Sequence, residues 1–123
     1  MGKLTFKKKE RLSKEKNIQE LFGKGSSFYL YPFKVFFMKN PDPAYPVHQV
    51  LISVSKKNFK KAVDRNLIKR RIREAYRLNK NQLSEQNKLL IAYLYSVKEI
   101  LPSAQIHERL IKTFKRFDYV EKR

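Results

Sequence analysis

The chain of 123 residues has no cysteine and no tryptophan, and only three glycines, two histidines and eleven acidic residues. Each shortage excludes something. Without cysteine there are no disulfides, no thiolate nucleophile and no cysteine-ligated zinc, a composition compatible with a reducing cytosol. Three glycines leave no room for a glycine-rich phosphate loop. His48 and His107 fall in different predicted elements without metal-ligand spacing, and Asp42, Asp64 and Asp118 are scattered, so no carboxylate cluster for two Mg²⁺ ions is visible. The grouped, activatable side chains of a protein active site are therefore missing. The longest apolar run, Leu89 to Tyr95, is far short of the ~20 residues that a spanning helix needs. Lys3, Lys7, Lys8 and Lys9 open the chain with no apolar stretch behind them, so no secretory signal is expected.

What is abundant is positive charge. Twenty-nine Lys and Arg give a formal net charge of +18, with a pI near 10.2. That points to a polyanionic partner, a nucleic acid before a membrane surface. A hydrophobic fraction of 41% with 13% aromatic residues is enough for a core, so the chain is not a disordered basic tail. Its length fits one domain over 1–123, with a basic arm at 1–12 and a tail at 119–123 expected to be mobile.

The charge peaks at residues 56–77, KKNFKKAVDRNLIKRRIREAYR, where ten basic residues face only Asp64 and Glu74. Ile68, Ile72, Ala75 and Tyr76 recur at helical spacing on one face. Asn66, Lys69, Arg70, Arg73 and Arg77 form a second row, roughly 140° around the helix from the first. One row can be buried while the other offers guanidinium forks, which meet two phosphate oxygens at once. An ordinary charged surface helix interleaves acids and bases at i,i+4, and this one barely does.

The remaining pattern predicts a helix over 13–24, capped by Ser13 and ended by Gly23 and Gly25. Residues 28–39 are expected as one strand, with Phe33, Val35 and Phe37 on one face and Lys34, Phe36 and Met38 on the other, Pro32 marking an edge or the strand's start. A turn-rich loop at 40–46 leads to a strand over 47–55, with Val50, Ile52 and Val54 inward and antiparallel to the strand before it. The basic helix follows at 62–79. A strand covered on both faces comes next at 88–97, parallel to the previous one through the helical crossover. A last helix, with Ser103 as N-cap, carries Ile106, Leu110, Ile111, Phe114 and Phe117. The order is α-β-β-α-β-α in a single α/β (α+β) sandwich around one small mixed sheet.

Asn66 is the one amide on the basic face, whereas a major-groove reader needs several base-reading side chains. Exposed aromatics on the first strand suit stacking on unpaired bases, so RNA is favoured over duplex DNA. Core or edge packing explains Phe33 better, and both readings stay open for Tyr29, Tyr31 and Phe36.

SVSKK at 53–57 followed by AVDRNLIKRRIREAYR at 62–77 resembles the bacterial ribonuclease P protein component, in which a Lys-Lys after a strand precedes an Arg-Asn-Arg-x-x-Lys-Arg helix. Leu4 to Arg11, Ile18 to Gly25 and Leu89 to Ala92 are similar to its basic start, first helix and buried strand. The resemblance implies a ribosomal-protein-S5-like fold with a left-handed βαβ crossover. It implies a non-catalytic protein subunit of an RNA-catalysed endoribonuclease, which assists removal of the 5′ leader from precursor tRNA in the cytoplasm. The implied partners are the catalytic RNA subunit and precursor tRNA, with no membrane and no protein partner. The implied Mg²⁺ is used by the RNA subunit and has no protein ligands.

By position, the resemblance assigns RNA-subunit contact to Lys56, Lys57, Arg65, Asn66, Lys69, Arg70 and Arg73. Lys60, Lys61, Arg71 and Arg77 extend the same stretch. A 5′-leader cleft would take Phe22, Lys34 and Phe36, with Ile18, Tyr29 and Tyr31 beside them. The chain departs from the family pattern at Leu67, which stands at the motif's second arginine and for which Arg71 is expected to compensate. It departs also at Ile18, where a cleft aromatic is frequent, and at Tyr93, where a basic residue is common. The alternative is a structural RNA-binding protein of ribosomal type with no role in cleavage. An autonomous nuclease is a third reading, disfavoured by the missing site.

Overall fold

The structure, a computed structural model, describes residues 6–83 and 87–121, with side chains as far as Phe117. Lys3, Leu4, Thr5, Lys122 and Arg123, which figured in the expectations for the two ends, lie outside the described residues.

Helix α1 spans Glu15–Lys24, and strands β1 Ser26–Leu30 and β2 Phe33–Lys39 follow directly. Strand β3 is Gln49–Val54, helix α2 is Ala62–Asn79, strand β4 is Leu89–Tyr95 and helix α3 is Ser103–Glu121. The four strands form one mixed sheet in the order β1-β2-β4-β3. β2 is antiparallel to both β1 and β4, whereas β3 and β4 run parallel through the α2 crossover, with Val50 opposite Ile91 and Ile52 opposite Tyr93.

The mixed α/β sandwich is as expected, but the element order is corrected to α-β-β-β-α-β-α. The expected single strand at 28–39 is a hairpin that reverses at a cis Tyr31–Pro32 bond. Pro32 is buried there and has no N–H to give a ladder. Its carbonyl instead accepts the Ser96 N–H at 2.9 Å and the Ser96 hydroxyl at 3.0 Å, which pins the turn to the end of β4. The antiparallel pairing expected between β2 and β3 is also corrected, because β4 lies between them. β4 reads LLIAYLY and is buried on both faces, so it occupies the centre. β3 carries Gln49 and an exposed Ser53 and stands at the edge.

Two capping assignments change. Lys14, not Ser13, precedes α1, and it makes no side-chain cap. Ser103 is the first helical residue of α3. The Pro102 carbonyl occupies the cap position and accepts the N–H groups of Gln105 and Ile106, both at 3.1 Å. Gly25 ends α1 for want of space rather than for left-handed backbone: its φ is −71°, and a Cβ there would lie 2.4 Å from the Leu21 carbonyl oxygen.

The sheet separates two apolar layers. On one face Phe28, Phe33, Val35, Phe37, Val50, Ile91, Tyr93 and Tyr95 pack against Ile68, Ile72, Ala75 and Tyr76 of α2 and Ile106, Leu110, Phe114 and Phe117 of α3. Tyr93, one of the family departures, is wholly buried in this layer and its hydroxyl meets that of Thr113 at 2.7 Å. On the other face Leu12, Leu21, Leu90 and Ala92 form a smaller core under α1, with Ile18, Phe36, Met38, Leu51 and Leu94 only partly covered. One surface of the sheet is therefore sealed by two helices, and the other is left half open beside a single short one.

The described part of the N-terminal arm lies along the sheet edge. The Leu12 N–H donates to the Val50 carbonyl at 3.0 Å, with Arg11 in a parallel bridge to Val50. Glu10 is buried and receives the Lys7 N–H at 3.0 Å and the Lys80 ammonium.

Candidate nucleic-acid interface

The loop between β3 and α2 is held rigid by its own backbone. Ser55 accepts the Phe59 N–H on its carbonyl at 3.1 Å and the Lys57 N–H on its hydroxyl at 3.0 Å. Phe59 is buried against the ring of Tyr95. Arg65 reaches back from the first turn of α2, and its Nη1 donates to the carbonyls of Phe59 at 2.8 Å and Lys60 at 3.0 Å. The loop thus presents Lys56, Lys57, Lys60 and Lys61, all exposed, around the N-terminus of an 18-residue helix. That end already carries the positive pole of the helix dipole, and only Asp64 opposes it in the first turn. Like charge gathered at the positive pole is unfavourable for the free protein and favourable for an anion.

Along α2 the buried row is the expected one: Ile68, Ile72, Ala75 and Tyr76 are each at most 1% exposed. Asn66, Arg70 and Arg73 are exposed and Lys69 is half-exposed. Among the described residues Lys69, Arg70 and Arg73 have no carboxylate partner. Arg77 does have one, because Glu74 grips it in an i,i+3 pair that holds the Glu74 carboxyl below its ordinary range and the Arg77 guanidinium above its own.

Arg71 stands apart from this row. Its Nη1 donates to the Leu101 carbonyl at 2.7 Å, which ties α2 to the start of α3. That bond turns part of its guanidinium toward α3. Leu67 itself lines a hollow of about 250 Å³ with Arg70, Arg71, Glu74 and Ser103.

The half-open sheet face gathers five of the six expected cleft residues. Phe22 of α1 and Phe36 of β2 meet edge to face with ring centroids 4.8 Å apart. The Lys34 ammonium lies 5.7 Å from the Phe36 ring centroid. Tyr29 pairs with Lys34 across the hairpin, so both side chains project from the same sheet face, and Tyr29 is 53% exposed. Ile18 closes the cleft from α1. Tyr31 is the exception and is corrected. It sits in the hairpin turn, packs on the sealed face, and lies under the Arg109 guanidinium.

A groove of about 310 Å³ at the β3 edge lies between this cleft and α2. It is lined by Phe6, Arg11, Leu12, Val50, Leu51 and Ile52 together with Lys69 and Arg73. Three cations line it and no carboxylate does. Arg11 and Phe6 were absent from the candidate residues, because the pairing of the arm with β3 leaves no periodic trace in so short a stretch. Leu51 and Leu94 were missed on the cleft floor, because a nearly continuous apolar strand does not reveal which side is half open.

His48 and His107 are far from forming a joint site. The His48 Nδ1 accepts the Leu89 N–H at 2.9 Å, whereas His107 lies beside the Asn79 amide. Among the described residues no group of three or more His, Cys, Asp or Glu could hold a metal ion, and no helix is long and apolar enough to cross a membrane.

Residues 6–118 match the family model for ribonuclease P. The chain belongs to the ribonuclease P protein family. It is 37% identical over 110 residues to the ribonuclease P protein component of Porphyromonas gingivalis strain W83, covering 85% of this chain and 80% of that one. It is 33% identical over 126 residues to that of Dictyoglomus turgidum, covering 99% of this chain and 100% of the relative. In three dimensions it is similar to the RNase P protein of Thermotoga maritima, with a TM-score of 0.73 and 28% identity over 87% of this chain and 96% of that one. The family's known role is tRNA 5′ processing as the protein subunit of ribonuclease P, a complex with an RNA subunit, and the chain is such a subunit.

Proposed function

We propose that the protein docks on the ribonuclease P RNA through the 56–61 loop and the outward row of α2, and holds the 5′ leader of precursor tRNA in the cleft between α1 and the sheet. The docking residues are Lys56, Lys57, Lys60, Lys61, Asn66, Lys69, Arg70 and Arg73. Arg65 shapes the loop that presents the lysines. The leader residues are Ile18, Phe22, Tyr29, Lys34 and Phe36. The supporting observation is the juxtaposition of unpaired cations on α2 with a half-open cleft of aromatic rings and a lysine, joined by a groove that three cations line. Phosphates would meet the cations, and unstacked leader bases would lie against the rings.

The chemistry of cleavage is assigned to the RNA subunit with its Mg²⁺, and the protein acts as a non-catalytic partner in the cytoplasm. The described residues bring no donor set together that fits a divalent ion, so no protein group is given a role toward it.

The test is the affinity of the assembled holoenzyme for precursor tRNA against mature tRNA, at matched salt and low Mg²⁺. A clear preference for the precursor is expected. Equal, tight binding to both would favour a general phosphate-binding role and would overturn the cleft assignment.

A further inference from the structure

On the flank of the sheet away from α2, helix α3 lays two arginines over aromatic rings of the β1–β2 hairpin. The Arg116 guanidinium carbon is 4.4 Å from the Phe28 ring centroid, and that of Arg109 is 5.8 Å from the Tyr31 centroid. Seven residues apart, the two share a helix face at a separation of about 10 Å along the axis. Lys112 lies between them at i+3, and Lys115 is exposed beside Arg116.

The opposing charge on this stretch is small. Between Ser103 and Phe117 the sole carboxylate is Glu108. It reaches Lys112 at 3.7 Å with both side chains more than half exposed, a pair that contributes little in water. Among the described residues neither Arg109 nor Arg116 has a carboxylate partner, and the Arg109 Nε is buried with no hydrogen-bond partner.

Placement over a ring is favourable for a weakly hydrated guanidinium and leaves its terminal N–H groups able to meet a further partner. It also limits the side chain's rotamers, so less freedom is lost when an anion arrives. Docking of α3 does not need these arginines, because Ile106, Leu110, Phe114 and Phe117 already hold the helix to the sheet. Attachment of the helix therefore leaves unexplained two arginines set over rings with a lysine between them.

We propose that the row Arg109, Lys112 and Arg116 is a second RNA-binding face, taking backbone phosphates on the flank opposite the α2 row. It goes beyond the docking helix and the leader cleft, and it lets one small protein bridge two RNA segments. The phosphates can come from the RNA subunit or from precursor tRNA, and two titrations separate these sources. The first measures binding of the protein to the RNA subunit across a salt series. The second measures binding of precursor tRNA to the assembled holoenzyme across the same series. Each uses the unaltered protein, the double variant Arg109→Gln/Arg116→Gln, the charge-preserving Arg109→Lys/Arg116→Lys, and Arg70→Ala as a reference for the α2 face.

The glutamine double variant is expected to bind one RNA roughly tenfold more weakly, with the slope of log affinity against log salt shallower by about 1.5, as the loss of two phosphate contacts requires. The lysine variant is expected to keep the slope and lose part of the affinity, because an ammonium cannot form the bidentate fork. A change in the first titration alone assigns the face to the RNA subunit, and a change in the second alone assigns it to the substrate. Unchanged affinity and slope in both titrations overturns the proposal. So does a fall in the glutamine variant's affinity with an unchanged slope, which marks a folding defect and not a lost phosphate. Arg70→Ala reports on the α2 face separately: if it weakens RNA-subunit binding while the glutamine variant does not, the second face fails and the docking helix stands.

Discussion

The carboxylate of Glu10, in the N-terminal turn, receives the ammonium of Lys80, seventy residues on and just past the end of α2. The pair closes the strap of residues 6–12 over the sheet edge, where Leu12 is already bonded to Val50. Glu10 is 5% exposed and its carboxylate accepts both the Lys7 N–H and the Lys80 ammonium, bonds that loss of its charge weakens. Glu10→Gln is expected to destabilise the fold by about 2 kcal/mol, below the range for a fully buried pair because the Lys80 side chain retains 16% exposure. The urea unfolding midpoint measures it, and an unshifted midpoint would mean that the pair contributes nothing to holding the strap.

Three tyrosines give the fold an alkaline limit. Burial pushes the phenols of Tyr76, Tyr93 and Tyr95 above their ordinary range, with the Tyr93–Thr113 hydrogen bond opposing the shift only in part. A group whose folded pKa is raised contributes stability that is complete below its unfolded pKa, about 10 for tyrosine, and is lost as pH rises through the folded value. Stability is therefore expected to fall above about pH 10, by up to ~1.4 kcal/mol per pH unit for each phenol that folding keeps protonated. Tyrosinate absorbance followed against pH, beside far-ultraviolet circular dichroism, checks this. Tyr76 and Tyr93 are expected to ionise only with unfolding.

Strong periodicity made α2 legible: no glycine or proline interrupts 62–79, and its apolar row and limits are those expected. The face assignment of β2 was legible for the same reason, since strict alternation puts Phe33, Val35 and Phe37 together and leaves Lys34 and Phe36 on the other side. The β1–β2 hairpin was hidden because aromatic residues run through its turn, so composition did not fall where the chain reverses. Alternation along a single strand would put Tyr29 with Phe33, whereas the reversal sets it opposite Lys34 on the half-open face. Arg71 shows a different limit. Charge in a sequence says nothing of where a guanidinium ends, and this one ends on a backbone carbonyl thirty residues away.

Neighbours on α2 should accordingly fail in different ways. Arg70 is exposed and without a carboxylate partner among the described residues, so Arg70→Ala is expected to leave stability nearly unchanged and to reduce the salt slope of RNA-subunit binding by about 1. Arg71→Ala removes a charged donor from the Leu101 carbonyl and is expected to cost about 1 kcal/mol of stability, below the range for a buried bond of this kind because Arg71 is half-exposed, with the salt slope unchanged. Paired denaturation and salt titrations separate them. A slope change for Arg71→Ala as large as that for Arg70→Ala would return Arg71 to the RNA-facing row.

Phe36 is the residue on which the leader cleft turns. It is half-buried, with Phe22 against its edge and the Lys34 ammonium near its ring, so one base could stack there while its phosphate meets the lysine. Truncation removes a stacking surface worth about 1–3 kcal/mol per base. Phe36→Ala in the holoenzyme is therefore expected to weaken precursor tRNA binding by about tenfold and to leave mature tRNA unaffected. Phe36→Leu separates stacking from packing, since it restores apolar volume over Leu51 and Leu94 but no ring. If the ring acts by stacking, the leucine variant stays nearly as impaired as the alanine one. Full recovery by leucine would reduce Phe36 to a packing residue, and equal loss for leader-bearing and leaderless tRNA would remove the leader from this cleft altogether.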